Sequence, residues 1–212
     1  MGRSAAIVVA AGGGSRFGAP KQFALLAGSR LVDRAVTAAS AACDEVVVVV
    51  PAGLDWGGPP VAAAVAGGAQ RADSVRAGLA AVSAGCDVIV VHDAARPLAP
   101  PSLFEAVIAA VRGGADGAVP AVPLTDTVKR VEDGRVVDTP PRDALVAVQT
   151  PQAFRAEALR AAHRGGGDAT DDAALVEANG GTVVVVPGDR SNLKVTAAAD
   201  LAVADTLLAD GA

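Results

Sequence analysis

The chain has 212 residues, 51% of them hydrophobic but only 2% aromatic, and a net charge of −5. That is enough apolar material for one core, which must be built from Val, Leu and Ala. The acidic balance excludes a general nucleic-acid surface but leaves local sites for small anions open. No apolar run approaches the ~20 residues that span a bilayer, and the N-terminus does not read as a signal peptide. Cys43 and Cys86 fit no zinc or redox spacing and are expected as buried free thiols of a cytoplasmic protein.

In chain order, Val-rich, nearly continuous apolar runs at 5–10, 45–50, 87–91, 117–122 and 182–186 read as strands buried on both faces. Helical periodicity lies between them: Val75, Leu79 and Val82; then Leu103, Val107 and Val111; and finally Leu201, Ala204 and Leu208. The alternation predicts one α/β domain over 1–212, a Rossmann-like, mostly parallel sheet with helices on both faces. Residues 123–141 break the pattern. Two β-like runs, 127–131 and 135–139, flank Glu132-Asp133-Gly134, and Asp-Gly between such runs signals a hairpin. A lone hairpin is marginal in water, so this β-arm is expected to project and pack on something, most simply a second subunit; a flap on its own domain is the alternative.

The most informative stretch follows the first strand: Ala10-Ala11-Gly12-x-Gly14-x-Arg16-x-Gly18-x-Pro20-Lys21-Gln22. Small residues let backbone N–H groups approach phosphates, and Arg16 and Lys21 add positive charge beside them. The stretch is neither a Walker loop, since Ala19-Pro20 follows Gly18, nor a dinucleotide fingerprint, since position 17 is Phe. The chain has only three lysines, Lys21, Lys129 and Lys194, against fifteen arginines. Two of the three sit in motif-like settings, as expected where a compact point charge is needed. A second polar stretch, His92-Asp93-Ala94-Ala95-Arg96-Pro97, follows the third strand, on the sheet edge where α/β proteins bind ligands.

Together with Arg71-Ala72-Asp73-Ser74-Val75, Gln149-Thr150-Pro151-Gln152-Ala153-Phe154 and Asn192-Leu193-Lys194-Val195-Thr196, these stretches resemble, in order and spacing, the 2-C-methyl-D-erythritol 4-phosphate cytidylyltransferases of the non-mevalonate isoprenoid pathway. The resemblance covers essentially the whole chain. It implies a homodimer with exchanged β-arms, CTP and a methylerythritol phosphate as substrates, and Mg2+ carried mainly by the triphosphate. It also implies catalytic roles for Arg16, Lys21 and Lys194. Ala10, Ala11, Gly12, Gly14, Gly68, Ser74 and Asp93 would bind nucleotide. Asp93, Arg96, Thr127, Arg142 and Thr170 would bind the sugar phosphate, Thr127 and Arg142 reaching the neighbouring subunit. Neither nucleic acid nor membrane is expected as a partner.

The chemistry fits the residue types. A phosphate monoester is already anionic at neutral pH, so its attack on a nucleotide needs cations and positioning rather than a strong base. Ser74 could also serve as the N-cap of the helix that follows, Asp93 as a strand-end turn residue, Arg96 as a surface ion pair, and His92 reads as structural. Position 69 is Ala and position 70 is Gln where some relatives carry acids, which removes a side-chain contact there. Two other readings remain: a sister enzyme acting on ribitol 5-phosphate, and a catalytically silent nucleotide-binding paralogue.

Overall fold

The computed structural model describes residues 2–13, 20–166 and 169–211. Its strands are β1 (Arg3–Val9), β2 (Leu25–Leu26), β3 (Ser29–Arg30), β4 (Glu45–Val50), β5 (Ala63–Ala66), β6 (Cys86–Asp93), β7 (Gly117–Pro123), β8 (Arg130–Glu132), β9 (Arg135–Asp138), β10 (Val146–Val148), β11 (Gln152–Arg155) and β12 (Val183–Pro187). Its helices are α1 (Leu31–Ala42), α2 (Arg71–Ala81), α3 (Pro101–Arg112), α4 (Ala156–Arg164), α5 (Asp172–Ala178) and α6 (Ala198–Ala209). None of the described helices is long and apolar enough to cross a membrane.

Eight strands form the main sheet in the order β10-β7-β11-β6-β1-β4-β5, with β12 also paired to β7. Ala121 of β7 meets Val148 of β10 and Pro187 of β12, so β12 runs along the other side of β7. The β1/β4, β1/β6, β4/β5 and β7/β12 pairs are parallel, while β11 is antiparallel to both β6 and β7. Consequently β1, β4, β5, β6, β7 and β12 end on one edge, and β11 begins there.

The predicted sheet strands are present, 45–50 with its predicted bounds and the others shifted by one or two residues at one or both ends, while the first arm strand spans Arg130–Glu132 instead of 127–131. β5, β10 and β11 were not anticipated, being short, Ala-rich or interrupted by Gln149-Thr150-Pro151. Alternation of side chains across each strand splits the core into two layers. Ala6, Val8, Val46, Val48, Val88 and Val90 face α1 and α3. Ala5, Ile7, Val47, Val49, Ile89 and Val91 face α2, α4 and α5. Strands buried on both faces are apolar along their length, which is why five consecutive valines follow Glu45 in β4. α6 covers a satellite cluster of Leu26, Leu31, Leu98 and Val195 through Ala204.

β8 and β9 form a separate two-stranded hairpin. Glu132 pairs with Arg135, and Asp133 (φ 48°) and Gly134 (φ 75°) make the turn. Two consecutive positive φ values are what a type I′ turn demands. Val131, Val136 and Val137 are exposed, so the arm projects rather than folding as a flap over its own domain. Cys86 is buried as expected, but Cys43 is only half-buried; burial and neighbouring Asp44 push its thiol up to about 12, which favours the neutral thiol.

Close approach of α2 to the sheet depends on Gly78. A Cβ there would sit 2.5 Å from Ile7 Cγ2 and 3.2 Å from Val49 Cγ2. Gly→Ala in an exposed helix interior stabilises by up to ~1 kcal/mol. Here overpacking reverses the sign: Gly78→Ala is expected to lower unfolding free energy by ~1–3 kcal/mol, measurable by denaturant titration.

Candidate active site

The loop leaving β1 keeps its course through backbone pairing and one side chain. Ala10 N–H donates to Val49 O at 2.7 Å. The buried Gln22 amide donates from Nε2 to Ala10 O at 2.7 Å and Gly12 O at 3.0 Å. Gln22 belongs to a single 3-10 turn, Lys21–Phe23, entered through Pro20, which sets Lys21 at the loop's rim.

The opposite rim is residues 67–70, after β5. A Cβ on Gly67 would collide with the Ala11 methyl and lie 2.7 Å from Ser74 Oγ, so glycine permits the two rims to touch. Helix α2 begins at Arg71 with Gln70 as its N-cap. Ser74 is therefore inside the first turn rather than capping it. Its hydroxyl donates to Gln70 O at 3.2 Å and accepts from Gly68 N–H at 3.3 Å.

Two cavities open along the carboxyl edge. The first, about 310 Å3, is lined by the β1 loop, Lys21, residues 68–71, Ser74, Asp93, Lys194 and Thr196. The second, about 210 Å3, is lined by Arg96, Gln149, Thr150, Gln152, Thr170 and Asp171. Arg71, Asp93 and Lys194 line both and form the boundary. Asp93 accepts from Arg71 Nε at 3.2 Å on Oδ1 and from Lys194 Nζ at 2.6 Å on Oδ2. Burial opposes its ionisation, but Arg71 and then Lys194 outweigh that and hold the carboxyl well below the usual range. Arg71 also donates from Nη1 to Asp172 at 2.7 Å. Burial works against its charge, but the two carboxylates raise its pKa.

Behind this boundary, Asp93 N–H donates to Thr150 Oγ1 at 3.1 Å. Thr150 Oγ1 lies 3.1 Å from His92 Nδ1, and His92 Nε2 lies 3.2 Å from Arg96 O. Since Arg96 O can only accept, Nε2 carries the proton and Nδ1 accepts from the threonine. Arg96 reaches past its own loop to Asn192 O (2.7 Å) and Val148 O (3.4 Å). It therefore grips backbone carbonyls rather than forming the surface ion pair considered above; burial lowers its pKa despite nearby Asp93. A cleft with these cations, and without a nucleophile–base pair among its described residues, is built to position anions.

The comparisons with known proteins agree. A family model described as 2-C-methyl-D-erythritol 4-phosphate cytidylyltransferase matches residues 4–210. The chain belongs to this family. It is 49% identical to the Frankia casuarinae protein of that name, covering 98% of this chain and 82% of that one, and 46% identical to the Rhodococcus jostii protein, covering 98% and 96%. The crystal structure of the Thermus thermophilus cytidylyltransferase superposes with a TM-score of 0.81 at 36% identity, covering 98% of each chain.

Of the residues the resemblance assigns, the first cavity gathers Ala10, Ala11, Gly12, Lys21, Gly68, Ser74, Asp93 and Lys194. The second gathers Asp93, Arg96, Thr170 and Lys194. Gly14 and Arg16 lie outside the described residues. Thr127 and Arg142 line neither cavity of this cytidylyltransferase chain: both are exposed at the arm, Arg142 donating to Thr125 O at 2.8 Å. Sequence reasoning missed Gln22, Arg71 and Thr150 as site-builders although each stood in a quoted motif. For Gln22 the signal was its place beside Lys21 and for Arg71 its own charge, whereas Thr150 stood in a stretch with no charged residue. Nothing in the sequence pointed to Asp172 as the partner of Arg71.

His92 also sets a pH dependence. Burial pushes its pKa down to about 4, so between that value and an ordinary ~6.5 the unfolded chain binds a proton that the folded chain refuses. Stability is therefore expected to fall by ~3 kcal/mol from this residue as pH drops from about 6.5 to about 4. Unfolding titrations across that window should show the slope flattened in His92→Asn.

Proposed function

We propose that the two joined cavities hold CTP and 2-C-methyl-D-erythritol 4-phosphate side by side. CMP passes to the sugar phosphate, giving 4-diphosphocytidyl-2-C-methyl-D-erythritol and pyrophosphate for isoprenoid precursor synthesis. The observation that carries this reading is the shared boundary: Arg71, Asp93 and Lys194 line a nucleotide-sized cleft and a smaller anion-sized one at once. Family membership supplies the two substrates.

In this reading the sugar phosphate's oxygen attacks the α-phosphorus of CTP, a P–O bond forms, and the bond to pyrophosphate breaks. The nucleophile carries its own negative charge, its second pKa being about 6. Lys194 at the boundary faces the charge that develops on the pentavalent phosphorus. Lys21 takes the β- and γ-phosphates at the loop, a role the family resemblance gives to Arg16 as well, and Arg96 with Thr170 holds the sugar phosphate. Ala10, Ala11 and Gly12 offer backbone to the triphosphate, as the family resemblance also assigns to Gly14, and Gly68 with Ser74 faces the cytosine.

Magnesium fits as an ion carried on the triphosphate, where it supplies charge neutralisation and Lewis acidity when bound. Asp93 is the one carboxylate among the described residues lining the nucleotide cavity, and both its oxygens are engaged. A hard cation needs more free oxygen ligands than that.

We infer a homodimer in which each arm completes the other subunit's second cavity. Exposure of Val136 (61%) supports it, as does the absence of Thr127 and Arg142 from the lining of their own chain's two cavities. The half-buried and buried free thiols accord with a cytoplasmic setting.

Pyrophosphate release from CTP and Mg2+ is expected with 2-C-methyl-D-erythritol 4-phosphate and not with ribitol 5-phosphate. Release with ribitol 5-phosphate instead would move the assignment to the sister enzyme, and nucleotide binding without release would mean a silent paralogue. Lys21→Ala and Lys194→Ala should each cut kcat on the order of 10²-fold or more; Lys21→Ala should leave the melting temperature nearly unchanged, whereas Lys194→Ala, which takes one cation from the buried Asp93, should lower it. Deleting residues 125–140 should give monomers with little activity by sedimentation and turnover; an active monomer would refute the shared site.

A further inference from the structure

Arg71 is held from two sides by carboxylates on different elements. Asp93 ends β6 and Asp172 opens α5. Asp172 is 1% exposed, and its second oxygen accepts from Nε2–H of His163 on α4 at 3.0 Å. His163 is buried too. A chain of polar contacts thus runs from beneath α4 to the cavity boundary: His163, Asp172, Arg71, Asp93, Lys194. Neither His163 nor Asp172 lines either cavity.

The geometry of the guanidinium gives the chain its consequence. An arginine facing one carboxylate closes on it with two parallel N–H bonds. Here the bond from Nη1 to Asp172 sets the tilt of the guanidinium plane, and in that orientation Arg71 meets Asp93 through Nε, on Oδ1, without closing the Nε/Nη2 fork on it. The other oxygen, Oδ2, is left to Lys194. Without the negative charge of Asp172, the fork would be free to close on both oxygens of Asp93, and Lys194 would lose its anchor.

We propose that Asp172, oriented by His163, is a positioning residue for the transfer reaction: it divides Arg71 between two carboxylates and thereby reserves one oxygen of Asp93 for Lys194. This rests on the reading that Lys194 faces the reacting phosphorus. The ammonium would then be fixed where the two substrates meet, before either arrives. A misplacement near 1 Å at such a point can cost about 100-fold in rate.

The test uses the full-length protein and two readouts, one independent of turnover. With only three lysines in the chain, labelling by a water-soluble amine-reactive ester can be followed residue by residue by mass spectrometry, with the exposed arm lysine Lys129 as internal reference. In folded Asp172→Asn, Lys194 is expected to label several-fold faster relative to Lys129. The kcat for pyrophosphate release should fall about ten- to hundred-fold, with a smaller change in KM for CTP. His163→Gln, which can keep a donor near the Nε2 position, should retain most of the activity. His163→Leu should shift labelling and kcat in the same direction as Asp172→Asn but less, and it serves if Asp172→Asn does not fold.

An unchanged Lys194-to-Lys129 ratio in a folded Asp172→Asn protein would overturn the proposal. So would losses of activity that merely follow the melting temperature across all three variants. Absence of turnover in the wild-type protein would sink the functional reading instead, and the labelling ratio would still judge the tether.

Discussion

A carboxylate buried at the end of a central strand stays ionised only when cations are brought to it, because the interior penalises an isolated charge by several kcal/mol. Asp93 is in that position. β6 lies in the middle of the sheet, between β1 and β11, and its last residue emerges where side chains from three other segments can reach it. Arg71 comes from the start of α2, Lys194 from the segment after β12, and Thr150 receives the backbone N–H. Each partner is far away in sequence, so the site exists only once the sheet has formed. The energetic requirement of one anion therefore gathers the cations that an anionic ligand would meet.

The sheet makes this meeting possible through direction as much as through order. Its parallel strands send their connections to the same edge, and insertion of antiparallel β11 between β6 and β7 brings Thr150 and Gln152 to that edge as well. An all-parallel sheet would place the beginning of that strand at the opposite edge. The mixed topology thus supplies the second cavity, and the boundary between the cavities is the junction of β6 with its neighbours.

The sequence exposed the parts of this arrangement that physical patterning controls. Strands buried on both faces are apolar along their length, so 45–50 was read with its observed bounds. Asp133-Gly134 fixes a hairpin by backbone sterics alone, and Lys21 and Lys194 stood out because the chain has so few lysines. What escaped depends on tertiary proximity. Ser74 looked like an N-cap, but Gln70 starts the helix and frees the hydroxyl for Gly68. β11 has too few residues for a period to register, and its place between β6 and β7 follows from pairing. The contact between Arg71 and Asp172 spans 101 positions, and no local pattern encodes a partner at that distance.

Glycine- and alanine-rich loops have little side-chain surface to pack, and an entropy cost resists fixing them. In this chain amide and guanidinium side chains compensate by gripping backbone carbonyls. Gln22 holds Ala10 and Gly12, Gln149 holds Asp189, Asn192 holds Thr150, and Arg96 holds Asn192. These bonds cross between loops, so the loops brace one another instead of each depending on its own turn. Amide donors committed to backbone oxygens are not available to phosphate, which leaves backbone N–H groups and the cations lining the two cavities to face it. Catalysis by positioning needs donors fixed before the ligand binds, and cross-bracing of this kind fixes them without filling the cleft with side chains.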